Sequence, residues 1–297
     1  MTRREFIVSS AAVAATGLSG GATRSGASLD WGALLHLGHN MWDDFEDDPD
    51  GWAKSAEEEA VRPNPYGPNG RRRSSYHSYV TTKDADWRQA VDRVAADGHN
   101  LLFIDVGEAV AFPSHPELAV VGTWSVEKFR KELSRIRALG LEPVPKLNFS
   151  ACHDAWLKNY HRMLSTRPYY QVVADVIADT ITVFDTPRLF HIGYDEEFAI
   201  AQAGHFHATI RQGDLWWHDL NYTIGQVEKH GARPVMWSDA MWMGKEEYLK
   251  RMSRDVLQSN WYYRSDFSEQ KLQWNYEFEK KGGWGEVVHG AAAFLAL

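Results

Sequence analysis

Cysteine is almost absent from this chain. Cys152 is the only one in 297 residues, so no intrachain disulfide can form. No apolar run approaches the roughly 20 residues that a membrane-spanning helix needs. Dense positive charge is lacking as well. The formal net charge is −8, and the one compact basic run, Arg71-Arg72-Arg73, lies in a Pro/Gly-rich stretch. Phosphate binding needs a basic surface, so no nucleic-acid partner is expected. No Gly-rich phosphate loop follows the first predicted strand, which argues against a doubly wound nucleotide-binding sheet. The acids between Asp43 and Asp50 match no calcium-loop spacing. No cofactor and no metal are expected from these patterns.

Aromatic residues, by contrast, are plentiful: 13 Trp, 12 Tyr and 13 Phe. Some of these fill a core; Trp and Tyr also offer flat faces to the C–H surfaces of sugar rings. A hydrophobic content of 44% with 24% charged residues is ample for one barrel-sized domain. The first residues follow a different logic. Arg3-Arg4-Glu5-Phe6, an Ala-rich apolar stretch from Val8 to Leu18, and then small residues read as a twin-arginine export signal. Residues 1–28 are therefore assigned to the signal and 29–297 to a single domain. The expected location is periplasmic or secreted, reached through the twin-arginine translocase.

Along the remaining chain, strands alternate with helices. Predicted strands are Leu34 to Gly38, Asn100 to Glu108, Leu141 to Asn148, Leu189 to Asp195, Arg233 to Asp239 and Val256 to Tyr262, with a weaker one at Glu286 to His289. Helices are predicted over Thr82 to Ala96, with Thr82 or Asp84 as cap, and from a Ser125 cap to Leu139. Two more are predicted over about Pro168 to Phe184 and Asp214 to His230. Such alternation implies parallel strands joined by helical crossovers, and the fold predicted is α/β, a (β/α)8 TIM barrel. An eight-stranded barrel needs one more strand and helix than the sequence displays. Each strand runs into a polar cluster at its C-terminal end, where barrel active sites lie.

The densest cluster is Asp195-Glu196-Glu197, at the exit of the strand containing His191. Adjacent carboxylates repel, and one protein site that tolerates them is a pair for proton chemistry. His191-x-Gly193-x-Asp195-Glu196 resembles the His-x-Gly-Gly-Asp-Glu motif of family 20 glycoside hydrolases, the β-N-acetylhexosaminidases. Pro145-Lys146-Leu147-Asn148, with His153 beyond it, is similar to that family's Pro-Glu-Ile-Asp strand and its Pro-Gly-His. Trp237-x-Asp239 and Trp261-Tyr262 resemble its aromatic walls. The whole chain also resembles bacterial twin-arginine-signal proteins carrying Pro-Lys-Leu-Asn-Phe-Ser and Asp-Glu-Glu. The resemblance implies a glycoside hydrolase with a carbohydrate substrate, Glu196 as general acid/base and Asp195 orienting the substrate's acetamido group. It implies substrate-binding roles for Lys146, Asn148, His153, His191, Glu197, Trp237, Asp239, Trp261 and Tyr262. Glu197 has a second reading, as a helix-start acid.

Three departures stand out. Tyr194 replaces the second Gly, Lys146 and Asn148 replace acids, and the first strand lacks the family's sugar-binding arginine. A charged lysine on a barrel strand needs a carboxylate, and the central strand is expected to supply it. Two other readings remain open. One is a non-catalytic carbohydrate-binding barrel. The other is a divalent-metal barrel enzyme using His36 or His39, Asp105, Glu108, Asp195, Glu196 and Asp239.

Overall fold

A computed structural model describes residues 30–41, 77–198, 202, 209–260 and 287–289. Residues 1–28, expected to be an export signal, and Trp261 and Tyr262 lie outside the described residues. Seven strands form one sheet: β1 (Gly32–His36), β2 (Leu101–Asp105), β3 (Glu142–Lys146), β4 (Leu189–His191), β5 (Arg233–Trp237), β6 (Leu257–Asn260) and β7 (Val287–His289). They are ordered as in the chain, and every neighbouring pair is parallel. A doubly wound sheet reverses its strand order at a switch point; this one never does. The architecture is a partial (β/α) barrel.

Helices α1 (Asp84–Ala96), α2 (Val126–Ala138), α3 (Arg167–Val183) and α4 (Gly213–Lys229) supply crossovers. In α2 the Ser125 hydroxyl accepts the Lys128 amide at 3.1 Å, and Phe129, Leu133 and Ile136 form the buried face. Leu139, the expected end of this helix, is its C-cap and is exposed. For α1 the cap is Lys83, without a side-chain bond, and Asp84 is the first helical residue. A fifth helix, α5 (Lys245–Arg251), was not expected: it is seven residues long and buries only Tyr248, too little for a visible period. No helix among the described residues is long and apolar enough to cross a membrane.

Alternation along each strand separates two faces. Leu102, Ile104, Phe190 and Met236 join the large core under the helices. Leu101, Phe103, Val144, Leu189, Val235 and Trp237 pack together on the other face, with Leu34 and Leu257. That inner layer is topped by a polar row in strand register: His36 opposite Asp105, Asp105 opposite Lys146, and Lys146 opposite His191.

Proline shapes the seam beneath the site. In a parallel strand, alternate residues bond to opposite neighbours. The Glu142 amide donates toward β2, to Asn100 O. Pro143 and Pro145 therefore remove the donors that would face β4. The β3–β4 ladder begins late, with the Leu147 amide donating to His191 O and the Phe149 amide to Ile192 O. β4 is correspondingly short, and the chain is released into the turn that carries the acids.

Candidate active site

The turn after β4 has an unusual backbone. Gly193, Tyr194 and Glu196 all have positive φ, at 73°, 70° and 59°. For the two non-glycine residues this costs on the order of 1–3 kcal/mol each unless the surroundings compensate. Gly193 has a steric reason to be glycine: a Cβ there would lie 2.0 Å from Asn148 Oδ1. Tyr194, despite its side chain, takes the same left-handed conformation. Its ring is buried, its hydroxyl lies 3.0 Å from Thr223 Oγ1, and the Arg211 guanidinium sits 5.0 Å from its ring centre.

Successive strand residues face opposite ways, so two adjacent acids meet only where the strand turns. Here Asp195 Oδ2 lies 3.5 Å and Glu196 Oε2 3.2 Å from the same atom, His153 Nε2. Asp195 is buried, whereas the Glu196 side chain is 35% exposed. Burial would depress the His153 imidazole, but Asp195 and the hydrogen-bonded Glu196 hold it above its ordinary value. The Asn148 amide donates to Asp195 Oδ1 at 2.7 Å, and its oxygen accepts the amides of Ser150 and Tyr194. Ser150 Oγ donates to Asp195 O at 2.5 Å, and Cys152 Sγ to Glu196 O at 2.8 Å. Asp239, just beyond β5, accepts the Glu196 amide on Oδ2 at 2.8 Å. His191 and Trp237 pack as a tilted pair, 4.7 Å between ring centres, on the inner face. Burial, and then the charge of Lys146, keep His191 well below its ordinary pKa and therefore neutral.

The structure thus brings Asn148, His153, Asp195, Glu196 and Asp239 into one cluster, with His191 and Trp237 behind it. Two residues are committed differently from expectation. Lys146 is fully buried and donates to Asp105 Oδ1 of β2 at 2.5 Å, not to an acid of the central strand. Register decides this, because Asp105 is its ladder partner. Glu197 takes a bidentate grip from Arg211, Nε to Oε1 at 2.7 Å and Nη2 to Oε2 at 2.5 Å, and also accepts the Ala151 amide. Arg211 continues to Phe149 O and to Asp219 of α4. Arg211 and Asp219 had no local signal in the sequence, each mattering only through partners from another element, whereas Ser150 closes the Pro-Lys-Leu-Asn-Phe-Ser motif.

Two of the oxygen donors named for a divalent-metal site, Asp105 and Glu108, are already engaged. Burial alone would raise Asp105, yet Lys146 and His36, which also bonds it, hold it below the ordinary carboxylate range. An ammonium at its centre makes that row a poor cation site. Glu108 accepts the backbone amides of His39 and Asn40. Among the described residues, no group of three or more His, Cys, Asp or Glu side chains is placed to hold a metal ion.

Fold and site together define a parallel β/α barrel with a carboxylate pair at the carboxyl ends of its strands. The fold is similar to that of the GH20 exo-β-N-acetylglucosaminidase from Vibrio harveyi, at 13% identity and a TM-score of 0.51, over 71% of this chain and 39% of that one. It is likewise similar to a β-N-acetylhexosaminidase from Bacteroides fragilis NCTC 9343, at 13% identity and a TM-score of 0.50, over 67% of this chain and 45% of that one. The chain spans less than half the length of these solved structures. No family model and no curated protein matches the sequence. The barrel is family-20-like in fold.

Proposed function

We propose that the chain is a glycoside hydrolase acting on a carbohydrate, an N-acetylhexosaminide, with Glu196 as general acid/base and Asp195 as its partner. One observation carries this reading: both carboxylates converge on His153 Nε2, and of the two Glu196 is the one that reaches solvent. An acid that protonates a glycosidic oxygen must meet the substrate, whereas one that orients a neighbouring group works from a buried position. In this scheme the substrate's acetamido oxygen attacks the anomeric carbon while Glu196 gives its proton to the departing oxygen. Water then opens the cyclic intermediate, returning a proton to Glu196. Asp195 steadies the positive charge that develops on the acetamido nitrogen. Trp237 and Asp239 border the sugar site. The twin-arginine signal is proposed to deliver the folded enzyme to the periplasm or beyond; export that persists after Arg3→Lys plus Arg4→Lys would remove that part.

The test uses matched aryl glycosides with and without the acetamido group. Asp195→Asn should impair the acetamido substrate far more than the plain one, whereas Glu196→Gln should impair whichever is hydrolysed. Equal losses in Asp195→Asn on both would remove the acetamido step alone. Carbohydrate binding without turnover of any glycoside by the wild type would favour the non-catalytic barrel.

A further inference from the structure

Glu196 is held in a left-handed conformation that a glutamate does not favour, φ 59°. Its peptide groups are gripped on both sides: Asp239 Oδ2 accepts its N–H at 2.8 Å, and Cys152 Sγ donates to its carbonyl at 2.8 Å. Asp239 itself is 2% exposed, and its second oxygen, Oδ1, has no hydrogen-bond partner among the described residues. An ionised carboxylate with one naked, buried oxygen is costly. Among the described residues, the strongest charges acting on Asp239 are those of Asp195 and Glu196 at the β4 exit, while its own charge bears on the Tyr248 phenol of α5. Asp195 and Glu196 are both acids.

We propose that Asp239 is a positioning residue for the acid pair, working as a neutral carboxylic acid whose Oδ2 fixes the Glu196 backbone and whose proton resides on Oδ1. This deepens the glycosidase reading and rests on it for its effect on turnover. A neutral Asp239 accepts the Glu196 amide through its carbonyl oxygen without setting a further anion beside Asp195. Ionisation would place that anion there and disturb the turn that aims Glu196. Burial, and next the charge of Asp195, push the Asp239 carboxyl up to about 8, so the group is protonated at neutral pH and ionises just above it.

The experiment compares the full-length wild type with Asp239→Asn and Asp239→Ala. Infrared spectra report protonated carboxyl groups through their carbonyl band; kinetics on an aryl glycoside report the pH profile. The wild type is expected to show a carbonyl band at pH 6 that disappears on titration with a midpoint near 8 and is missing from Asp239→Asn. Turnover in the wild type should show a decline centred over the same range, separate from the limb set by Glu196 itself, and that component should be absent in Asp239→Asn. At pH 6, Asp239→Asn, which keeps a neutral acceptor, should lose less than about tenfold, and Asp239→Ala about tenfold more than that. Identical spectra for wild type and Asp239→Asn at pH 6 would overturn the proposal, whether or not any glycoside is cleaved. Equal kinetic losses in the Asn and Ala variants would overturn it too. The expected band in a wild type that cleaves no glycoside would support the neutral acid and overturn the glycosidase reading instead.

Discussion

Two neighbouring layers of the barrel neutralise buried carboxylates in different ways. In the row formed by His36, Asp105, Lys146 and His191, Asp105 meets Lys146 and His36 through strand register. Lys146 and Asp105 are both fully buried, and the fixed ammonium keeps Asp105 ionised. In the mouth above it, Asp154, Asp195 and Glu196 gather around His153, and Asp239 lies against Asp195 and Glu196. There burial raises Asp154 well above the usual carboxylate range and Asp239 to about 8. A proton does in the mouth what a lysine does in the row. A bound cation is permanent, whereas a bound proton is exchangeable, so the mouth suits acid–base chemistry and the row suits support. Glu197 belongs with the row in this respect: it is paired with Arg211, although it is the chain neighbour of Glu196.

The comparison is broken most forcefully by removing the acid that meets solvent. Glu196→Gln is expected to lower glycoside turnover by about 10²–10⁴-fold. Its unfolding free energy in urea should change by less than about 0.5 kcal/mol, since its side chain is partly exposed. Undiminished turnover would sink the role of Glu196. The row should behave in the opposite manner. Lys146→Met leaves Asp105 buried without its ammonium and should destabilise the fold by about 3–5 kcal/mol. Adding Asp105→Leu to that variant should recover most of the loss; a double variant no better than the single would show that pairing is not what the row supplies. Arg211→Lys keeps the charge but loses the fork that grips Glu197, for an expected cost of about 1.5–3 kcal/mol by denaturation. An unchanged midpoint would remove Arg211 as the anchor of the turn.

A subtler effect separates the layers by pH. Asp239 in the folded chain has a pKa of about 8 against an ordinary 3.8. Between those values the folded state holds a proton that the unfolded state has released, so stability falls as pH rises from about 4 to about 8 and is level above. The slope from this group is up to about 1.4 kcal/mol per pH unit, and Asp239→Asn should remove that share, leaving the share of the likewise raised Asp154. Asp105 has the opposite sign. Its folded pKa is depressed, so its stabilisation is present above the ordinary value and is lost as pH falls through and below it. Unfolding curves across pH 2 to 9 check both. A slope left unchanged in Asp239→Asn would assign it to other groups, such as Asp154.

Local signals carried the framework. Alternating apolar runs and helical faces located β1 to β6 and four helices within a few residues, and the strand-then-polar order placed the acids at the carboxyl ends. The Ser125 cap was readable because it acts within one turn. Helix α5 escaped because seven residues and one buried side chain make no period. Within the acid cluster, the sequence alone supplied the residue types and their position at a strand exit, which are properties of neighbours along the chain. Tertiary structure decided which acids carry fixed counter-charges and which are left to protons. Lys146 finds Asp105 across 41 residues, Arg211 finds Glu197 across 14, and Asp239 holds the Glu196 amide across 43. Such pairings depend on register and on loop paths between strands. Solvation and Coulomb energies act through space rather than along the chain, so residues of identical type, Glu196 and Glu197, acquire different tasks only once the barrel has formed.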